Sequence, residues 1–564
     1  MSADIAPPTP APGQSIRRLK PLDLGATAIA LLLSIPVASV LASLFSGESA
    51  TFIHLAQTVL AGYVADTFLL GGLVVIGVLI VGVPAAWLVA MCEFPGRRFL
   101  EAALVLPLAA PAYVLAYAYA DFLSAFGPVQ GAFRAAFGVE VGAYWFPDIR
   151  SLPGAALMLT LVLYPYVYLL ARARFLTESA TALDAARTLG RSPWNTFFSV
   201  SLPLARPALA AGAALALMET LADYGTVSYY GVPVFTTGIY RAWFSFGDPT
   251  AAAQLAALLI VFVALALVGE RAARGEARYY ETGRRDRRPA RYTLTRSRSV
   301  AAILACALPP LLGFVLPAIV LATLLAGNGP PAREFWPHLL HSVTLATIAG
   351  AITTAVAFVF AVARKKGPLT LAGRAANIAG LGYAVPGAVI AVGVLLPFAA
   401  FDNTLDTAFR GVFGVPIGLV LTGSIAGLIF AYLVRYLAVA LQSVSAGMER
   451  VTPSIEGAAR MLSRGPFQAM RRVYLPLVAP SALTAALLVF VDVMKEIPAT
   501  LMLRPFNFDT LAIAANNYAS DERLGHAAAP SLAIVAAGIV PCILLIRSIT
   551  GAARTPSDVV PPLP

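Results

Sequence analysis

Long apolar runs, separated by short polar breaks that carry arginine, dominate the chain. Most runs reach the roughly 20 residues that a helix needs to cross a hydrocarbon layer. Twelve are read, near 24–46, 67–91, 100–123, 152–172, 206–226, 249–269, 300–325, 342–364, 377–400, 414–438, 478–498 and 530–548. The pattern predicts an all-α integral membrane protein. The Pro-rich residues 1–20 read as a disordered tail on the cytoplasmic side, and 550–564 as a C-terminal tail. The first apolar run exceeds the roughly 7–15 residues of a signal-peptide core, so a retained first helix is expected.

The polar breaks repeat. Residues 184–203 read DAARTLGRSPWNTFFSVSLP and residues 457–476 read GAARMLSRGPFQAMRRVYLP, an offset of 273. Six spans lie in each half, so the two repeats, 21–270 and 300–549, run parallel through the membrane. A transporter-like arrangement follows, with a pseudo-two-fold axis along the membrane normal. Between them, 271–299 is an Arg-rich linker, read as solvated and touching anionic headgroups. Each repeated break predicts a helix, a turn and a second short helix. Trp194, Phe197 and Phe198 give it apolar surface to bury, and Leu202-Pro203 and Leu475-Pro476 mark re-entry into the membrane.

Charge orients the chain. Hydrophobic residues make up 59% and charged ones only 12%, where a soluble domain has about 25% charged. The net charge of +11 comes mostly from arginines in the breaks, which the positive-inside rule explains better than nucleic-acid binding. With twelve spans every Arg/Lys cluster falls on one side, the cytoplasmic one, together with the N-terminus.

Four carboxylates stand inside the apolar runs at repeat-equivalent positions. Glu219 and Asp223 lie near the outer end of one span, and the offset carries them onto Asp492 and Glu496. Each pair is spaced i, i+4, which predicts a shared helix face. Carboxylates at membrane depth are costly, so they are expected to face the bundle axis and line a translocation pathway for a hard cation. The alternative is structural: Lys495 pairs with an acid, or the acids sit at headgroup level. Tyr224, Tyr229 and Tyr230 are candidate cation-facing phenols or interfacial aromatics. His338 and His341 read as helix-end packing before a metal site. Cys92, Cys306 and Cys542 have no metal or redox spacing and read as small buried thiols. No catalytic residues and no resident metal or cofactor are expected, and no phosphate-binding loop for ATP appears.

The duplicated break resembles the "EAA" loop of importer-type permeases of ATP-binding-cassette systems. That loop has an acidic residue, two alanines, a glycine four residues after the second alanine, and a closing aliphatic-x-Leu-Pro. The first break fits at Asp184, Ala185, Ala186, Gly190, Val200, Leu202 and Pro203. The second fits at Ala458, Ala459, Val473, Leu475 and Pro476. It departs at Gly457, where the acid stands one residue early as Glu456, and at Ser463 in place of glycine. The resemblance implies that both loops dock onto a dimeric ATPase that hydrolyses ATP in a separate subunit. It also implies a bacterial inner-membrane location, and a periplasmic binding protein delivering substrate to loops near 225–248 and 499–529. The double length, and METLADYGTVSYYGVPVFTTGIYRAW at 218–243, resemble the permeases of ferric-iron importers. Ferric iron is therefore the expected cargo. Thiamine, polyamine, phosphonate or a sulfate-like anion is the alternative for the same role. A proton-driven secondary transporter is more distant, since it does not predict the duplicated loop.

Overall fold

A computed structural model describes residues 21–47, 49–177, 188–189, 192–274, 291–329, 331–365, 370–380, 382, 385–462 and 466–551. The tails and most of the linker, like Asp184, Ala185, Ala186, Gly190 and Ser463, lie outside the described residues.

The first half comprises α1 (Pro21–Ala42), α2 (Leu60–Met91), α3 (Arg97–Ala103), α4 (Ala112–Leu123), α5 (Leu152–Leu176), α6 (Leu202–Ala222), α7 (Gly225–Tyr229), α8 (Phe235–Tyr240) and α9 (Pro249–Arg274). The second comprises α10 (Arg296–Pro310), α11 (Leu316–Asn328), α12 (Phe335–Arg364), α13 (Leu371–Ala379), α14 (Gly387–Phe413), α15 (Ile425–Met448), α16 (Pro453–Leu462), α17 (Leu475–Met494), α18 (Pro498–Leu503), α19 (Leu511–Ser520) and α20 (Leu524–Gly551). Moved by 273 residues, α2 falls on α12, α3 on α13, α5 on α15, α6 on α17, α7 on α18 and α9 on α20. The repeat is thus a repeat of structure, down to the helix caps. Ser151 accepts a hydrogen bond from the Gly154 amide to start α5, and Ser424 accepts one from Gly427 to start α15.

Among the described residues, eleven helices are long and apolar enough to cross a membrane, or twelve if one bent pair counts as a span. The bent pair corrects the expectation of an unbroken helix at 100–123. Arg97–Ala109 and Ala112–Phe137 meet at 93°. Pro111 stands in the break and Pro107 in the turn just before it, and both lack the amide hydrogens a helix would use there. The expected span at 377–400 breaks likewise, between α13 and α14, ahead of Pro386.

The chain is helical through the expected membrane re-entry points at Pro203 and Pro476. Each lies within a continuous helix, immediately after one π turn at Phe197–Ser201 or Met470–Tyr474. Leu202 N–H donates five residues back to Phe197 O, and Leu475 N–H to Met470 O. The wider turn lets the helix pass the missing proline amide without a break.

The halves are interlocked. Helix α1 leaves its own half to pack on α13 and α14, while α10 and α11 pack on α3 and α4. Ser39 Oγ donates to Gly393 O at 2.8 Å, and Tyr119 Oη donates to Leu312 O at 2.8 Å, each bond joining one half to the other. Positions 39 and 312 are themselves 273 apart. A two-residue parallel pairing of β1 (Cys92–Glu93) with β2 (Tyr292–Thr293) ties the end of the linker to the first half. Outward-facing Leu31, Ile80 and Leu265 are exposed, as suits a surface solvated by lipid.

Candidate functional site

Two regions emerge from the fold. One is the face bearing the repeated loops, and the other is the centre where the halves meet.

On the loop-bearing face, Glu456, Gly457, Ala458 and Ala459 lie on α16, a short amphipathic helix. Gly457 and Ala458 are exposed. Lys365, at the end of α12, anchors this helix. Its Nζ lies 3.6 Å from Glu456 Oε2, donates to Val451 O at 2.6 Å, and sits 5.3 Å above the Tyr474 ring. The acid displaced by one residue is therefore held within the chain. In the first half the loop is anchored by aromatic packing instead. Phe197 is buried against Trp87 at 4.9 Å, and Trp87 also meets Phe175 at 5.4 Å and Tyr292 of β2 at 6.4 Å. Of the three aromatics expected to be buried, Phe197 is, while Trp194 and Phe198 remain exposed.

At the centre the acids stand differently from the helix-face expectation. Helix α6 ends at Ala222 and α17 at Met494, so Asp223 and Glu496 lie beyond the helices that carry Glu219 and Asp492. Each caps the next short helix. Asp223 accepts from the amides of Thr226 and Val227, both at 3.1 Å, and from Thr226 Oγ1 at 3.0 Å. Glu496 accepts from the amides of Ala499 at 2.7 Å and Thr500 at 2.9 Å. These donors are equivalent pairs under the 273 offset. A carboxylate at a helix N-terminus satisfies amides that the membrane interior could not.

Among the described residues, both cations paired with these acids come from the second half. Arg435 Nη1 bonds Glu496 Oε1 at 2.9 Å, and Lys495 Nζ bonds Asp492 Oδ1 at 2.9 Å. Glu219 stands within electrostatic reach of both cations from the opposite half. Tyrosines frame the break between α17 and α18. Tyr113 Oη donates to Lys495 O at 3.3 Å, Tyr436 Oη to Asp492 O at 3.3 Å, and Tyr240 Oη to Pro498 O. Tyr432 Oη meets Thr500 Oγ1 at 2.6 Å. Tyr113 and Tyr240 belong to the first half, so the break is a joint between the halves. Arg435 escaped the sequence reading although its signal was present: a lone arginine inside the apolar run AYLVRYLAVA. The buried Arg97–Glu101–Arg172 cluster was missed because its members are 75 residues apart and sit near the ordinary loop arginines.

Toward the face opposite the loops, Arg150 crosses between the halves. Its Nη1 bonds Glu522 Oε1 at 2.7 Å and its guanidinium lies 5.0 Å over the Tyr229 ring. Tyr229 packs edge-on against Tyr117, whose hydroxyl donates to Asn516 at 3.2 Å. Tyr230 is buried and donates to Ala116 O, and Tyr224 stacks on Tyr240, so these phenols serve packing here. His341 stacks on Phe508 and contacts Asp509 O at 3.1 Å, as helix-end packing predicts. Cys92, Cys306 and Cys542 are buried free thiols.

The family model described as "Binding-protein-dependent transport system inner membrane component" matches twice, over residues 79–274 and 370–553. An Fe(3+)-transport system permease protein of Haemophilus influenzae is 28% identical over 86% of this chain and 90% of its own length. A molybdenum transport system permease protein of Escherichia coli is 29% identical over 33% of this chain and 80% of its own. A sulfate transport system permease protein of the same species is 31% identical over 26% of this chain and 50% of its own.

Proposed function

The chain belongs to the family of binding-protein-dependent transport system inner membrane components, and on that premise we propose that it is the permease through which an ATP-binding-cassette importer carries ferric iron from periplasm to cytoplasm. The loop-bearing face, with its basic clusters, is the cytoplasmic one. There the first loop and α16 receive the two copies of an ATPase, one loop per copy. The opposite mouth receives a binding protein that delivers cargo. Movement of the ATPase reaches the centre through α6 and α17, which run without a break from the loops to the acids.

The observation that carries the choice of cargo is charge. The centre gathers four carboxylates, Glu219, Asp223, Asp492 and Glu496, against two bases, Arg435 and Lys495. Among the described residues, acids therefore outnumber bases where the halves meet. An oxyanion such as molybdate or sulfate would be repelled there, whereas hard carboxylate oxygens suit a hard multivalent cation. The relative named for Fe(3+) also spans both halves, while those named for molybdenum and sulfate match over a third of this chain or less. In this reading Asp223 and Glu496 shape the breaks, and Glu219 and Asp492 face the passing ion.

Uptake tests it directly. Cells dependent on this chain should accumulate radiolabelled iron and not molybdate or sulfate. Glu219→Gln with Asp492→Asn should abolish that uptake while the ATPase still co-purifies. Oxyanion accumulation, or iron uptake undiminished in the double variant, would sink the reading.

A further inference from the structure

The repeats agree in their central acids and disagree in their bases. Under the 273 offset Asp492 answers Glu219 and Glu496 answers Asp223, but Lys495 answers Ala222 and Arg435 answers Val162. The two cations are also built differently. Arg435 is locked: its side chain is 14% exposed, its partner Glu496 is 1% exposed, and a side chain at Gly387 would collide with both. Lys495 has more freedom. Its side chain is 34% exposed and that of Asp492 is 24% exposed. An ammonium on a flexible four-carbon stem can swing away from such a contact, and a partly exposed ion pair resists separation weakly.

We propose that Lys495 is a tethered cation that gates the pathway by charge: its ammonium holds the place beside Asp492 and before Glu219 that a cargo ion takes, and a passing ion must displace it. The inference rests on the reading of these acids as a cation path and adds the basis of selectivity. A monovalent ion that replaces the ammonium exchanges one positive charge for another and gains little. A trivalent ion brings two further charges toward the same carboxylates, and Coulomb attraction scales with that charge. The gate therefore excludes the abundant monovalent cations and admits a multivalent one. Because the first half has alanine at the equivalent position, one gate serves both halves.

Terbium(III), a hard trivalent ion whose luminescence neighbouring tyrosines sensitise, is the probe. Tyr113 and Tyr436 bond the backbone at Lys495 and Asp492, close enough to report. The purified full chain is titrated with terbium and the tyrosine-excited emission is followed. Lys495→Met should tighten binding by about tenfold, or roughly 1.4 kcal/mol. Lys495→Arg, which keeps the charge, should not show the tightening of the methionine variant, and adding Asp492→Asn to Lys495→Met should remove the gain. If Lys495→Met binds no tighter while Glu219→Gln or Asp492→Asn weakens binding, the gate is wrong and the path stands. If the acid variants leave both binding and iron uptake unchanged, the path is wrong and the gate falls with it. Lys495→Gln, which also removes the charge but retains a hydrogen-bonding tip, repeats the test should the methionine variant fail to fold.

Discussion

A carboxylate buried in this chain is legible by its partner more than by its position. Glu496 sits in an apolar setting where two amides and Arg435 surround it. Removing one member of a buried pair leaves a charge without compensation, at a cost of about 3–5 kcal/mol. Arg435→Met should therefore lower thermal stability in detergent sharply. The double variant Arg435→Met, Glu496→Gln should regain much of it, because no lone charge is left. A loss below about 1 kcal/mol in the single variant would mean that the pair contributes little. The sequence marked Glu496 and Asp223 correctly as repeat-related acids. Their role as caps was not legible, because it depends on helices ending one residue before each of them or a residue earlier still. An i, i+4 spacing implies a shared face only where the helix continues.

Helix boundaries follow local chemistry that short motifs carry. Ser151 and Ser424 start equivalent helices with the same serine-to-glycine-amide bond, and Asp248 does comparable work for α9. Burial pushes the Asp248 carboxyl up, but the Ala251 amide and the Ser49 and Thr51 hydroxyls outweigh it and hold its pKa below the usual carboxylate range. A group depressed in the folded state stabilises at neutral pH, and that contribution is lost as pH falls through its lowered pKa. Asp248→Asn should thus flatten the acid side of a thermal-stability profile measured against pH. An unchanged profile would show that the cap is inconsequential. The π turns ahead of Pro203 and Pro476 show the limit of reading elements from residues. Proline next to an apolar run suggests a boundary, yet a neighbouring turn can widen and carry the helix through.

The whole molecule is held by exchange between its halves. Helices α1 and α10 each leave their own repeat for the other, and Tyr113 and Tyr240 reach from the first half to the break in the second. Two chains cut between residues 275 and 290 and produced together should co-purify and transport. Either one alone should fail to accumulate, since it lacks the surface its first helix needs. Stable halves that ignore each other would contradict the interlock. The spans, the duplication and the two loops were legible at this scale because periodic hydrophobicity and a fixed offset survive without knowledge of contacts. The crossing of the first helices was not, because an apolar helix looks the same whichever half it packs against.

The linear chain by itself determined that this protein lives in a bilayer, is built twice over, and carries matched polar loops and matched acids. Those properties follow from composition, period and spacing, which each segment expresses locally. Only the tertiary structure decided which acids cap helices and which stand beside a lysine, and that both bases come from one half. It also decided that the break after α17 is a joint between the halves. Such facts depend on distances between residues far apart in the chain, and burial gives an ion pair its weight only after those distances are set.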